Sequence, residues 1–411
     1  MYKTSRMTET PTAAVSVTPW STAGLLHVAH ALDHLFLLIF ATAVGSMAQD
    51  FGRAQWQDLM PFGVGAFILF GLGSLPAGRL GDLWGRRPMM VVFFFGMGAS
   101  ALLVALTQTV WQLAAALTLL GAFASIYHPV GIPMLLQHSL RPGLAVGVNG
   151  LAGNLGVAAA AALTGLLVST WGWRWAFAVP GLTILILGAW FYRVCPPETE
   201  APVRRQTPSR VTLGPADLAR LLLVMTVAAA SSSVIFNVTT NGNAQLLNER
   251  FAGVLDDPAT LGLLLGLLYA VASLAQLVVG QLIDRMALRP LYLGVAFAQV
   301  PLLLWASHAQ GWWLYAALVS ATLFMFGAVP FTDTMIVRYV DDARRSRVAG
   351  LRLAISLTIS SCALWALGPF VKSWGFGTLL QVMAGFAALT AAAVWWLPQE
   401  PARAPSAAAS G

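Results

Sequence analysis

Charge is scarce in this chain of 411 residues: Asp, Glu, Lys and Arg make up 9% of it, against 58% hydrophobic residues. With a mean hydropathy of +0.73, no water-soluble globule of this length could cover its surface, so lipid must do so. Cysteine is nearly absent. Cys195 and Cys362 lie far apart, one at the end of an apolar run and one inside another. That excludes a disulfide framework and gives no support to a thiolate metal site or redox chemistry. The chain also lacks a phosphate-binding loop, an H-E-x-x-H helix and a nucleophile elbow. An enzyme or a receptor with an attached soluble domain is therefore not supported, and no cofactor is expected.

Long apolar runs take the place of these features. Polar or Pro/Gly punctuation divides the chain into twelve: 21–47, 60–80, 88–107, 111–137, 144–169, 175–194, 218–246, 260–283, 290–306, 312–338, 348–370 and 376–397. Each is near the roughly 20 residues that cross a bilayer. Backbone groups in hydrocarbon must be satisfied within their own segment, so these runs are expected to be helices. Residues 195–217, with Arg204, Arg205, Arg210 and Pro215, form the longest polar interruption and read as a linker. The expected organisation is a tail (1–20), a six-helix bundle (21–194), the linker, a second six-helix bundle (218–397) and a tail (398–411). A removable signal peptide is not expected, because His27, His30, Asp33 and His34 interrupt the first run and no cleavage site follows it.

The basic residues are unevenly distributed. With both termini on one side, that side collects eighteen Lys and Arg residues and the other only Arg53, Arg174, Arg250 and Lys372. This bias places the termini in the cytoplasm of a bacterial inner membrane. Retention of positive charge on the inner side also accounts for the net charge of +7, so nucleic-acid binding need not be invoked.

The chain repeats itself. Gly78-Arg79-Leu80-Gly81-Asp82-Leu83-Trp84-Gly85-Arg86-Arg87 returns 202 positions later as Gly280-Gln281-Leu282-Ile283-Asp284-Arg285, with Arg289. Trp171-Gly172 returns as Trp374-Gly375. Two pairs at nearly one spacing indicate a parallel duplication of half-chains. The first copy resembles the loop signature G-x-L-[AG]-D-R-x-G-R-[RK] of the major facilitator superfamily, where it joins helices 2 and 3. The resemblance implies an all-α membrane protein with twelve helices in two pseudo-symmetric six-helix bundles. It also implies a cytoplasmic latch made by Gly78, Asp82, Gly85 and Arg86, with Asp284 in the second copy, where Met286-Ala287-Leu288 replaces the small-residue turn. Gly172-Trp173-Arg174-Trp175-Ala176-Phe177 is similar to the G-W-R-x-x-F start of helix 6 in the same superfamily, with a structural role.

The first run carries the most unusual chemistry. At about 100° per residue, His27, His30, Asp33 and His34 fall on one face of a helix. Ionisable residues in a membrane usually face a bundle interior or a water path and serve proton or ion movement. Asp33, His30, His34 and His128 are therefore the candidate proton-coupling group. His128 lies in Tyr127-His128-Pro129-Val130-Gly131, where Pro129 removes a backbone donor and can kink the fourth helix toward the same cavity. That stretch and the glycine-rich 147–156 resemble the fosmidomycin-resistance group of facilitators. The arginine early in helix 4 and the Gly-Pro pair in helix 5 common in drug:proton antiporters are both missing.

Candidate substrate contacts are His27, Tyr127, Asn149, Asn154, Asn237 and Asn241, the last two from a seventh run too rich in Ser, Thr and amides to face lipid. The outer half of that run is expected to bend as a gate. Asp333 and Arg352 are each placed to pair inside the C-terminal half, since an unpaired charge there is costly. The expected activity is proton-coupled alternating access that moves a small organic molecule, with export implied by the resemblance. The partners are substrate, protons and lipid, and one copy of the chain is expected to suffice. As the alternative, His30, Asp33, His34 and His128 form a transient site for a divalent metal or metal chelate, because imidazole and carboxylate are ordinary ligands.

Overall fold

The computed structural model describes residues 20–136, 142–197, 215–339 and 342–397. The two tails, most of the expected linker and the side chains of Asp284 and Asp333 lie outside the described residues.

Within the first half, α1 spans Trp20–Asp50, α2 Val64–Trp84 and α3 Arg86–Ala105. The fourth helix, α4, starts as Val110–Ala124, passes through a π turn at Tyr127–Gly131 and ends as Ile132–Leu136. α5 is Pro142–Trp171 and α6 Trp173–Val194. The second half holds α7 (Pro215–Arg250), α8 (Pro258–Arg285), α9 (Leu288–His308) and α10 (Gly311–Tyr339). The final helix, Asp342–Trp395, contains a non-helical break at Gly375, which gives α11 (342–374) and α12 (376–395). Its apolar stretch covers 45 residues, roughly twice what one crossing needs. Among the described residues the chain therefore crosses the membrane twelve times, at the runs expected from sequence.

The joints explain where several helices stop. Gly85 (φ 98°, ψ 153°), Gly172 (φ 90°, ψ 167°) and Gly375 (φ 74°, ψ 169°) occupy a backbone region open essentially to glycine alone. Gly172 and Gly375 are the repeated pair, so the duplication seen in sequence recurs as one turn used twice. The counterpart of Gly85 in the second half is Ala287, which has ordinary extended angles (φ −64°, ψ 135°). This joint is thus built differently in the two halves.

The halves meet along α5 against α8 and α2 against α11. Gly165 and Gly262 face each other so closely that a Cβ on either would lie about 3.0 Å from the other's Cα. At the end remote from the termini the halves also touch through side chains. Lys372 Nζ donates to Asp58 Oδ1 at 2.6 Å, and Trp56 stacks on Phe376 with ring centroids 5.9 Å apart. The start of α6 is fixed at this end too, because Asp50 Oδ2 accepts from Trp173 Nε1 at 2.8 Å and from Arg174 at 2.6 Å. The expected structural role of the Gly-Trp-Arg turn lies in that contact.

Candidate functional site

A cavity of about 320 Å³ lies between the halves. Its wall comes from α1, α2, α4 and α5 on one side and from α7, α8, α10 and α11 on the other. Asn149, Asn154, Gln276, Val329, Thr332, Arg352 and Ser356 lie in the terminal-side portions of their helices, while the halves touch at the opposite end.

On the N-terminal wall, α1 presents His30 and His34 one turn apart, and the π turn of α4 presents His128. Pro129 has no amide hydrogen to donate, and the π turn is where α4 absorbs that loss. The three imidazoles pack ring to ring: His30 to His34 at 4.9 Å, His30 to His128 at 5.1 Å and His34 to His128 at 5.7 Å. Behind them lies Asp33, with no exposed surface. Its Oδ2 is 3.7 Å from His128 Nε2, and neither carboxyl oxygen has a hydrogen-bond partner. Two protonation patterns leave this pair without net charge: a proton on the carboxyl group, or one on the imidazole opposite the carboxylate. An unpaired charge in such a place is costly, so a proton gained or lost there changes which surroundings the pair tolerates.

His30 is held more firmly than its neighbours. Its Nδ1 lies 2.7 Å from the carbonyl oxygen of Asn149. A carbonyl can only accept, so the ring proton sits on Nδ1 and, in the neutral ring, Nε2 keeps its lone pair. That Nε2 is buried without a partner. One face of the ring stacks on Tyr127 at 4.7 Å, and the ring also packs on Gly153, where a Cβ would come within 2.6 Å of it. Asn149 is the hub of this arrangement. Its Oδ1 accepts from the Tyr127 hydroxyl at 2.7 Å and lies 3.3 Å from His27 Nδ1, while Tyr127 also reaches the Leu26 carbonyl at 2.8 Å.

Two of the expected substrate contacts do not line this cavity. Tyr127 is fully buried behind the wall, and its hydroxyl is spent on α1 and Asn149. His27 lies nearer the terminal end of α1, turned to Asn149, and does not line the cavity. Asn149, Asn154, Asn237 and Asn241 do line it.

α7 is one continuous helix from Pro215 to Arg250. Its polar residues divide by height. Ser232, Ser233, Asn237, Thr240 and Asn241 line the cavity. Further out, Asn243 donates to the Tyr269 hydroxyl at 3.2 Å and Gln245 reaches the Ala41 carbonyl of the other half at 3.5 Å. Arg352 is on the cavity wall; the expected pairing with Asp333 involves a side chain outside the described residues. Sequence reading missed Gln276, Ser356 and the Phe67–Phe70 face of α2, which also line the cavity. Only their place on a helix facing the other half marks them, and that place requires the packing.

The expected latch residues lie at the terminal side. Asp82 is exposed, and Arg86 donates to the Pro133 carbonyl at 3.1 Å. Arg87 holds the end of α6 through the Cys195 and Tyr192 carbonyls at 2.8 and 2.7 Å. A Cβ on Gly78 would lie 3.2 Å from Pro129, so the end of α2 rests on the π turn.

His30, His34 and His128 are also the described residues best placed to hold a metal ion, with ligand atoms within 4.8 Å of one another. Nitrogen ligands at 2.0–2.1 Å around one tetrahedral ion stand about 3.4 Å apart. His128 stands edge to face with both other rings, and His30 and His34 are tilted by 57°, so the rings would have to turn to converge on an ion.

The sequence profile described as Major Facilitator Superfamily matches residues 26–246. The multidrug resistance protein MdtG of Salmonella typhimurium is 24% identical over 92% of this chain and 93% of that protein. The probable actinorhodin transporter of Streptomyces coelicolor is 29% identical over 45% of this chain, and the tetracenomycin C resistance and export protein of Streptomyces glaucescens 27% identical over 45%. This chain spans about a third of the length of those two, 33% and 35%. A D-xylose–proton symporter structure superposes with a TM-score of 0.73 at 17% identity, over 92% of this chain and 98% of that one. A bacterial homologue of the lysosomal transporter Spinster, described as inward-facing and unoccupied, gives 0.67 at 14% identity, over 93% and 95%.

Proposed function

This chain belongs to the Major Facilitator Superfamily, and from that premise we propose that it is a proton-coupled exporter of small organic molecules working by alternating access. The observation that carries the coupling is Asp33, a fully buried carboxyl group with no donor, set 3.7 Å behind His128 on the cavity wall. In this reading the basic residues place the termini in the cytoplasm, so the cavity faces inward and the Asp58–Lys372 end is the closed outer gate. Cargo enters from the cytoplasm. A proton arriving from outside is taken up by Asp33 when the cavity faces outward and leaves to the cytoplasm when it faces inward, with His128 passing it between carboxyl and cavity. Occupancy by cargo or proton favours one facing over the other because the two bind the states unequally.

Relatives named for drug resistance and antibiotic export support the direction and the cargo class. The exposed Asp82 fits a latch that closes only when the terminal side closes. The metal alternative has weaker support: the three imidazoles must turn to converge, and none of the relatives named above is described as a metal transporter.

The test is a growth panel in an efflux-deficient bacterium. Expression of the wild-type protein is expected to raise tolerance to at least one aromatic antibiotic, and both a protonophore and Asp33→Asn are expected to abolish that gain at equal protein level. Tolerance that survives Asp33→Asn removes Asp33 from coupling. Tolerance gained only toward zinc or nickel salts replaces the organic cargo with a metal.

A further inference from the structure

The histidine cluster on the N-terminal wall has the spacing of a zinc site. Imidazole nitrogen at about 2.0–2.1 Å from the ion puts each ring centre about 3.2 Å from it, and tetrahedral angles then set three ring centres about 5.2 Å apart. The centres of His30, His34 and His128 are 4.9, 5.1 and 5.7 Å apart. The rings therefore need to turn in place but not to move closer, and their candidate ligand atoms already lie within 4.8 Å of one another.

The surroundings of the cluster are those of a ligand set. His30 donates from Nδ1 to the Asn149 carbonyl at 2.7 Å, and such a bond to a backbone carbonyl is what usually fixes the tautomer and direction of a ligating imidazole. It leaves the lone pair on Nε2. The Nε2 atoms of His30 and His128 are both buried without a hydrogen-bond partner. Tyr127 stacks on the His30 ring at 4.7 Å and Gly153 packs against it, so His30 is the fixed member toward which the other two turn. Asp33 Oδ2, 3.7 Å from His128 Nε2, supplies negative charge beside a place where an uncompensated divalent ion would be costly.

Resting on the transporter reading for its consequence, though not for the binding itself, we propose that His30, His34 and His128 form an inhibitory zinc site. All three come from α1 and α4, so movement of one half against the other does not take the site apart. The ion is retained and not released as cargo. With zinc on the His128 ring, Asp33 loses its route to the cavity, and transport driven by a proton gradient stops.

Binding is tested with zinc chloride in isothermal calorimetry on the purified full-length protein without a polyhistidine tag. One zinc per chain is expected, with no binding of magnesium. His30→Gln and His34→Ala are each expected to weaken zinc at least tenfold, whereas His308→Gln, at the far end of α9, is expected to change it less than threefold. Should neither cluster variant fold, cobalt(II) chloride gives a second reading on the wild-type protein: the strong visible absorption of a tetrahedral ion, removed by zinc. In proteoliposomes, zinc is expected to halve the gradient-driven flux of a transported organic compound at the concentration that half-saturates binding. Radioactive zinc is expected not to accumulate beyond one ion per chain.

The proposal is overturned if zinc binds no more tightly than magnesium, if binding survives both cluster variants unchanged, if saturating zinc leaves flux intact, or if zinc accumulates inside the vesicles. Failure of the transporter reading looks different: zinc binds with the stated pattern, but no organic compound moves under a pH gradient. That outcome leaves the zinc site standing and removes its inhibitory role.

Discussion

Asn149 ties three side chains together, accepting from Tyr127 through its amide oxygen and from His30 through its backbone carbonyl, with His27 at 3.3 Å. Tyr127→Phe should therefore loosen His30 without touching the cavity, because the ring stack survives and the hydroxyl's bonds to Asn149 and Leu26 do not. Hydrogen bonds between membrane helices are worth about 0.6 kcal/mol on average and up to about 1.7, so thermal unfolding in detergent should show a loss of that size with cargo affinity changed less than threefold. A tenfold loss of affinity would return Tyr127 to the cavity wall. The gathering of His30, Asp33, His34 and His128 was legible in sequence, because helical spacing puts the first three on one face and Pro129 marks where α4 deviates. Asn149 was legible only as one polar residue in a glycine run. Its role depends on the close passage of α5 over α1, where Gly153 leaves room for the His30 ring.

Elements differ in how much of their geometry the sequence carries. The joints at Gly85, Gly172 and Gly375 use backbone angles that side chains resist, at a cost of about 1–3 kcal/mol per site. Gly85→Ala is expected to lower stability by that amount, while Ala287→Gly at the equivalent joint, whose angles are ordinary, should cost well under 1 kcal/mol. Equal losses in denaturation of the two variants would mean that the joints are alike. The π turn of α4 was foreseen only as a kink. Arg86 bonds to the Pro133 carbonyl just beyond it, and Gly78 lies against Pro129. The loop between α2 and α3 is thereby attached to the segment that carries His128. Arg86→Ala should slow cargo exchange across proteoliposome membranes by about tenfold while leaving equilibrium binding within threefold. A collapse of binding with exchange intact would assign Arg86 to the site instead. Along α7 the amide nitrogens of Asn241 and Asn243 donate to the Asn237 carbonyl at 2.8 Å and to the Tyr269 hydroxyl at 3.2 Å.

At the scale of the whole molecule, twelve crossings and a twofold repeat were legible because hydrophobic length and a 202-residue offset are one-dimensional signals. Which end of the molecule is closed was not legible, since it depends on contacts between residues more than 300 positions apart. Lys372 and Asp58 are about half and one-third exposed, and exposed pairs of this kind contribute about 0.2–1 kcal/mol. Lys372→Ala should therefore shift the balance toward the outward-open state by no more than about fivefold. Spin labels at Ala54→Cys and Ser373→Cys, with Cys195 and Cys362 replaced by Ser, read that shift as growth of a longer-distance population. A complete conversion would mean that this pair alone holds the gate.

The central claim is that Asp33 exchanges its proton for cargo. It is tested most directly in inside-out membrane vesicles that are energised to an acidic interior and monitored with a pH-sensitive dye. Adding a transported compound to vesicles carrying the wild-type protein should collapse part of the pH gradient as protons leave in exchange. Vesicles with Asp33→Asn at equal abundance should show no response, although the purified variant still binds the compound in calorimetry. An undiminished response from Asp33→Asn vesicles would contradict the account.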